Sequence, residues 1–495
     1  MTDEADMKLR TARTIKWNVI DRVSSQLLYA VSGIVLARLL SPNDFGLVGA
    51  VAIFQAFASL MVDSGFSYAL LQRKTPSHLD YSTVLWFNIA MATIIYLSLW
   101  FAAPLIADCF QDDSRLIALS RVMFLSFIIN AASIVQINRL MKQMNVRMVA
   151  VSNIVALALS AIVGIVLAIN GFGAWAIVWQ TLTQSTVKTL ILWLTSHWLP
   201  LWAFSWQSLR EIFKVGSAMM TSSFISTLVQ NINAFFIGNR VNLVSLGYYS
   251  QADKWSKMGV ASISQVLTSS FLPVLSQFQD DKERFARATK KMNKFTSYLL
   301  FPIMGFLGVM SEPIFHVLFG VKWDASIALF QLLLLRGVFV VLTSLYNNYI
   351  IALGRAKIIL WTVILRDGAI FLALLVTLPM LAWTRPDDIT YGVKLMLIGQ
   401  VVASLLAFVV MLKITSRLTW RTAWSYVQDS LPYLVETLVI MIPMMWINTL
   451  SLNAWVTLAL QGAIGLGLYL IVNWLLKSKM QQEALSYITG RLRRK

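Results

Sequence analysis

A single cysteine, Cys109, excludes an internal disulfide framework. Histidine is almost as scarce: His78, His197 and His316 stand far apart, and with the lone cysteine they offer no metal-ligand spacing. No glycine-rich phosphate loop and no catalytic triad is present, so ATP hydrolysis is not expected. An enzyme of lipid metabolism would carry paired acids or histidines in a loop, and the connections here are too short for that. The chain is therefore expected to be no enzyme and to need no cofactor or metal. Charge is thin as well. Only 13% of the residues are charged against 58% hydrophobic, and the mean hydropathy is positive. A soluble protein of this length would have no surface left to keep it in solution. The net charge of +18 would suit nucleic acid, but no basic module stands outside the apolar segments to bind it. No nucleic-acid partner is expected.

What is present is a series of apolar runs. About fourteen are long enough to cross a bilayer, at residues 16–40, 45–69, 82–106, 116–137, 149–170, 173–195, 213–237, 247–272, 295–318, 325–349, 357–380, 391–412, 431–449 and 453–476. The fold class predicted is an all-α integral membrane protein. The first residues are mixed in charge and the first run lacks a small-residue cleavage site, so a cleavable signal peptide is not expected. With an internal N-terminus, the cytoplasmic segments collect Arg73, Lys74, Arg139, Lys142, Arg147, Arg210, Lys214, Arg284, Arg287, Lys291, Lys294, Arg421 and the tail Arg491, Arg493, Arg494 and Lys495. The opposite loops hold Arg38, Arg115, Arg240, Lys322 and Arg385, among acids such as Asp44, Asp113 and Asp388. Such a bias is what the positive-inside rule requires, and it places both termini in the cytoplasm. Trp175, Trp193, Trp198, Trp202 and Trp383 fall near span ends, as an interfacial aromatic belt would. Residues 280–294 alternate charge with Phe285, Ala288 and Met292, which predicts a short helix lying on the membrane surface. Pro302 and Pro313 in the ninth span, and Pro432 and Pro443 in the thirteenth, are expected to kink their helices.

A weak internal repeat is visible. The turn LARLLSPNDFGLVG, which carries Arg38, has a counterpart about two hundred residues later in GNRVNLVSLGYYSQ, which carries Arg240. Six spans per unit would give both halves the same orientation and relate them by a pseudo-twofold along the membrane normal.

Charges left inside the apolar runs need an explanation, because each is costly at the bilayer centre. Arg121 and Lys394 lie close enough to span ends to snorkel, and Asp21-Arg22, a turn or two from the inner interface, is open to the same reading. Asp21-Arg22 and Arg366-Asp367 are sequence neighbours pointing about 100° apart, so each residue is expected to find its partner on another helix. Lys254 and Lys257 stand at i and i+3, on one face of the eighth span. Arg336 sits mid-span with no local acid. The anion-binding candidates are thus Arg22, Lys254, Lys257, Arg336 and Arg366. A pathway lined by Arg and Lys suits an anion, and the planar guanidinium suits phosphate oxygens. The spans also carry many amides, Asn88, Gln136, Asn153, Gln331 and Gln400 among them. Amides serve either as glue between helices or as the lining of a wet cavity for sugar hydroxyls, and periodicity does not separate the two.

The first turn, the Gly247–Ser250 step GYYS, LPVLS at 272–276 and ALGRAKI at 352–358 together resemble the Wzx-type polysaccharide flippases. More narrowly, they resemble the exopolysaccharide-export (colanic-acid-like) branch of the MATE/MurJ flippase superfamily. The resemblance implies two six-helix bundles, at 1–195 and 196–412, followed by an extra helix pair with a basic cytoplasmic tail at 413–495. It implies a bacterial inner-membrane flippase that moves undecaprenyl-pyrophosphate-linked oligosaccharide repeat units by alternating access, for exopolysaccharide or lipopolysaccharide biosynthesis. Its partners would be that lipid-linked glycan, membrane lipids and the polysaccharide polymerase and export machinery. Coupling to a sodium or proton gradient, as in the superfamily, would fall to Asp63, Glu312, Asp367 or Glu436. The rival readings are a MATE-like cation-coupled drug antiporter, in which carboxylates carry transport, and a polymerase-like or scaffolding component, for which the long external loop is missing.

Overall fold

The computed structural model describes residues 2–483 except 64, 112 and 384, so the basic tail at 491–495 lies outside the described residues. The chain divides into two compact units, Met1–Gly247 and Tyr248–Lys495. The first holds helices α1 (Thr2–Leu39), α2 (Pro42–Asp63), α3 (Phe66–Gln72), α4 (His78–Cys109), α5 (Arg115–Met123), α6 (Leu125–Lys142), α7 (Val146–Ile169), α8 (Ala174–Ser196) and α9 (Trp206–Arg240). Helix α10 (Leu243–Ser276) begins in the first unit and runs into the second. The second continues with α11 (Lys282–Val309), α12 (Ser311–Leu318), α13 (Asp324–Ala352), α14 (Ala356–Thr377), α15 (Tyr391–Leu418), α16 (Ala423–Asn448) and α17 (Ala454–Leu475). In the first unit α7 packs on α1 and α8, and α6 on α4 and α8. In the second, α13 packs on α15 and α11 on α16.

Among the described residues, eleven helices are long and apolar enough to cross a membrane. A twelfth arises if α11 and α12, bent by 62° at Met310, are one broken span. Pro313 lies in the first turn of α12, where a proline costs a helix little, so the break falls just before it. Helices α8 and α9 stand where the sixth and seventh spans were expected and have 23 and 35 residues, but they fall outside the eleven. Thr181, Thr183, Gln184, Ser185 and Lys188 dilute the apolar character of α8, as Thr221, Ser226, Gln230 and Asn231 dilute that of α9.

Two expectations need correction. The second span is not continuous over 45–69, because α2 stops at Asp63 and α3 starts at Phe66. Between them Gly65 takes φ 69°, in the left-handed region, and a Cβ there would meet the Gly216 carbonyl oxygen at 2.2 Å. Residues 280–294 do not form a separate surface helix either. Asp281 caps the N-terminus of α11 by accepting from the Arg284 amide at 3.0 Å, and no glycine or proline interrupts the helix before Pro302. The amphipathic stretch is the first half of the ninth helix.

The opening turn is built as a reciprocal cap. Ser41 donates from its amide and its hydroxyl to Asp44 Oδ2, at 2.9 and 2.7 Å, while the Asp44 amide donates back to Ser41 Oγ at 3.2 Å. Pro42 occupies the first position of α2, where its missing N–H is not needed. Asp44 Oδ1 also accepts from the Ala174 amide at 3.0 Å, tying the turn to the start of α8. The counterpart turn is capped by Asn242, whose Oδ1 accepts from the Ser245 amide at 2.6 Å. A glycine follows each capping residue five positions on, Gly46 in the first and Gly247 in the second.

Candidate functional site

The sequence-derived cations separate into four environments. Lys254 and Lys257 are exposed on α10, on a face continued by Ala261 and Gln265, all of them exposed. Lys257 Nζ lies 2.6 Å from Asp253 Oδ2 one turn earlier, and Lys254 Nζ stands 5.5 Å from the centre of the Trp255 ring. Helix α10 is one of the eleven span-length helices. A span that exposes two lysines and an amide cannot turn that face to acyl chains; it must face water or a polar cargo. Arg336 occupies the second environment. It is half-buried on α13, and its Nη1 donates to Gln400 Oε1 on α15 at 2.9 Å. Gln400 is fully buried, so the guanidinium is held by a neutral amide and keeps its charge uncompensated by any described carboxylate. The third is that of Arg22, which lies exposed on α1.

Arg366 requires a correction. It was expected to pair with another helix, but its Nε donates to Asp367 Oδ1 at 2.8 Å. The backbone directions of the two residues do diverge, yet the arginine stem is long enough to fold back across that angle. One anion-binding candidate and one ion-coupling candidate thereby form a single local ion pair. Asp21 instead reaches another helix, but through an amide: Asn153 Nδ2 on α7 donates to Asp21 Oδ1 at 2.9 Å, and Ser25 joins them at 3.1 Å.

The remaining acids are held differently. Asp63 accepts from the Ser67 hydroxyl at 2.6 Å and so bridges the break between α2 and α3. Glu312 is exposed in the first turn of α12. Glu436 on α16 accepts from Asn473 Nδ2 on α17 at 2.5 Å. Beside it Tyr298 packs against Tyr433 and Tyr469 with ring centroids 5.7 and 5.3 Å apart, and the Tyr469 hydroxyl donates to the Tyr298 carbonyl at 2.7 Å. Among the described residues no group of His, Cys, Asp and Glu could hold a metal ion. The expectation that amides join helices finds examples. Asn153, Asn138, Gln331 and Asn293 bridge helices, whereas Asn88 and Gln136 are fully buried with both polar atoms unpaired among the described residues.

Sequence reasoning missed a buried ion cluster at the start of α16. Asp429 is 5% exposed, Arg421 Nη2 donates to its Oδ2, and Lys294 Nζ lies 3.6 Å from its Oδ1. The Arg421 guanidinium also stands 4.2 Å from the centre of the Tyr426 ring. Tyr426 packs against Tyr346 and Tyr349, and the Tyr346 hydroxyl donates to Asn293 Oδ1 at 3.3 Å. Arg421 and Lys294 read as loop cations because the expected spans began at 431 and 295. Thr422, which caps α16 by accepting from the Ser425 amide, was the signal that the helix starts earlier. Beside this cluster the second unit holds a cavity of about 590 Å³, lined by Met304, Leu342, Phe408, Leu434 and Met441 together with Tyr346 and Tyr426. Its lining contains no charged residue, so it suits hydrocarbon and not glycan.

In the loop before α15, Asp388 Oδ2 lies 2.7 Å from Lys394 Nζ in the first turn of that helix, and Thr390 donates to Asp388 Oδ1 from its amide and hydroxyl at 3.0 and 2.8 Å. Partial burial alone would raise the Asp388 carboxyl, but these hydrogen bonds and the Lys394 charge outweigh it and hold it below the ordinary aspartate value.

Residues 35–328 match a family described as polysaccharide biosynthesis protein. The chain is 26% identical over 370 residues to the succinoglycan biosynthesis transport protein ExoT of Rhizobium meliloti (strain 1021), covering 74% of each. It is 25% identical to the teichuronic acid biosynthesis protein TuaB of Bacillus subtilis (strain 168), covering 69% of this chain and 71% of that one. It is 23% identical to the lipopolysaccharide biosynthesis protein WzxC of Escherichia coli (strain K12), covering 71% and 72%. Its fold is similar to that of the lipid II flippase MurJ in an inward closed conformation, with a TM-score of 0.69 over 93% of this chain and 98% of that one at 14% identity. It is also similar to an inward-facing MATE multidrug transporter, with a TM-score of 0.59 over 81% and 98% at 18% identity. The family match covers more than half of the sequence and includes the Ser41–Gly46 and Asn242–Gly247 turns, so the chain belongs to the polysaccharide biosynthesis protein family and has the fold shared by MurJ and MATE proteins.

Proposed function

We propose that this protein translocates undecaprenyl-pyrophosphate-linked oligosaccharide repeat units across the bacterial inner membrane by alternating access, supplying exopolysaccharide or lipopolysaccharide synthesis. The observation that carries this reading is the exposed face of α10. A span-length helix presents Lys254, Lys257 and Gln265 to a polar environment, a combination suited to a pyrophosphate carrying sugars. Arg336, cationic and held by an amide with no carboxylate partner among the described residues, adds a second anion-binding group, and Arg366 and Arg22 complete the set. The lipid tail would stay in hydrocarbon throughout.

In this reading the membrane is crossed fourteen times, with both termini in the cytoplasm. Helices α8 and α9 serve as the sixth and seventh spans and α11–α12 as a broken ninth. Two six-helix bundles, 1–195 and 196–412, are followed by an extra helix pair in 413–495. The matching caps and glycines of the two turns support the repeat, and the length of α8 and α9 supports the count. Reconstitution tests the proposal. Vesicles carrying the protein should move a fluorescent undecaprenyl-pyrophosphate oligosaccharide between leaflets, and Lys254→Gln/Lys257→Gln should slow that movement about tenfold or more. An unchanged rate in the double variant would remove the anion-face argument. The MATE-like antiporter reading makes the opposite prediction: Asp63→Asn or Glu436→Gln would abolish transport while the lysine variant transports normally.

A further inference from the structure

A second cationic feature includes none of the residues assigned to cargo. Arg13, Lys16 and Trp17 stand on one face of α1, at i, i+3 and i+4, where the span-length part of that helix begins. Opposite them the Gln143–Asn145 turn joins α6 to α7, with Met144 in the left-handed region at φ 57°. Arg147 follows in the first turn of α7, its guanidinium 5.4 Å from the centre of the Trp17 ring. Together with Thr14, these residues line a pocket of about 480 Å³. The lining has three cations and no acid, and neither Arg13 nor Lys16 has an acidic partner among the described residues. Thr14 Oγ1 is buried there without a hydrogen-bond partner. The first turn of α7 adds to this, because no side chain caps its N-terminal amides and the positive end of the helix faces the same turn.

We propose that this pocket binds the phosphate of an anionic glycerophospholipid headgroup. The charge requires an anion. The depth selects a lipid over a free ion: the pocket sits where two span-length helices, Arg13–Leu39 and Val146–Ile169, both begin, which is the headgroup level. Trp17 supplies the amphipathic ring that favours that level, and basic pockets between spans are a recurrent way of holding acidic headgroups. A bound lipid would bridge α1 to the α6–α7 turn. The mutual repulsion of Arg13, Lys16 and Arg147 would otherwise push these apart.

Native mass spectrometry of the full chain in detergent tests the site, with phosphatidylglycerol and phosphatidylcholine as probes. The wild type should retain phosphatidylglycerol in preference to phosphatidylcholine. Arg13→Gln/Lys16→Gln/Arg147→Gln should bind phosphatidylglycerol about tenfold more weakly with its phosphatidylcholine binding unchanged. The charge-keeping variant Arg13→Lys/Arg147→Lys should retain most of the preference. Sodium chloride at about 1 M should release phosphatidylglycerol from the wild type, because the screening length then falls to roughly 3 Å; this arm needs no variant to fold. Equal retention by wild type and neutral variant overturns the proposal, as does retention insensitive to salt. If inorganic phosphate at millimolar concentration displaces phosphatidylglycerol from the wild type, the ligand is a free anion and the lipid assignment falls.

Discussion

Gly46 and Gly247 form a reciprocal close approach. A Cβ on Gly46 would fall 1.8 Å from the Leu243 carbonyl oxygen, and one on Gly247 would fall 1.8 Å from the Pro42 carbonyl oxygen. Each glycine thus lies against the first residue of the other's helix, α10 for Gly46 and α2 for Gly247. Alanine ordinarily stabilises a helix interior by up to about 1 kcal/mol over glycine. Here the obstacle is backbone, which cannot rotate away, so overpacking should dominate. Gly46→Ala and Gly247→Ala are each expected to cost about 1–3 kcal/mol or more, read as a lower unfolding temperature in detergent. Gly259→Ala is the control. Nothing lies within 4 Å of its would-be Cβ, so that variant should be neutral or slightly stabilised. Equal effects at Gly259 and Gly46 would contradict the packing argument.

Arg336 offers a different kind of test, because its partner Gln400 is neutral. Removing the cation from a structural ion pair would expose an orphaned acid, but here it leaves only an amide. Arg336→Gln should therefore accumulate in the membrane at near wild-type level while lipid-linked oligosaccharide transport falls about tenfold or more. Arg336→Lys keeps the charge without the planar fork and should fall between the two. Gln400→Glu places a carboxylate 2.9 Å from the cation's nitrogen in the wild-type geometry and should depress transport by neutralising it. Normal transport in Gln400→Glu would indicate that the free charge of Arg336 is not used.

At Asp429 the same chemistry is structural. The carboxylate is buried between Arg421 and Lys294, with the tyrosines of the second unit packed beside it. Asp429→Asn strands the Arg421 charge and should destabilise the protein by roughly 3–5 kcal/mol, seen in thermal unfolding. The double variant Arg421→Met/Asp429→Leu removes both charges and should recover much of that loss. A double variant no more stable than Asp429→Asn would show that the two charges are not coupled.

The features of the fold and the site differ in how far the sequence discloses them. The lysine face of α10 was legible because residues three apart share a helix face whatever the tertiary structure. The capped turns were legible because proline and short polar residues act locally. The ion cluster at Asp429 was not, since its members come from two segments that read as loops, and only the actual start of α16 brings them inside. The break at Gly65 depends on the close passage of Gly216, a contact no local pattern encodes. Arg366 misled because direction was judged from the backbone, while a long side chain takes its direction from its own rotamers.

Asp388 provides a prediction that involves no transport. Its carboxyl is held below the ordinary aspartate value although partial burial works in the opposite direction, through Lys394 and the two groups of Thr390. A carboxyl depressed in the folded state contributes stability that is fully present above the unfolded value of about 3.9. That contribution declines as the pH falls toward the folded value, because the native loop must then give up its ion pair. Unfolding temperatures measured from pH 7 down to pH 3 should therefore fall at the acid end. Asp388→Asn should start lower at pH 7, because it has lost the Lys394 ion pair, and should decline less as the pH drops, so the two curves converge. Parallel curves over that range would show that Asp388 does not carry the acid sensitivity. Lys394→Met should reproduce the shallower slope through the other partner, without altering the aspartate itself.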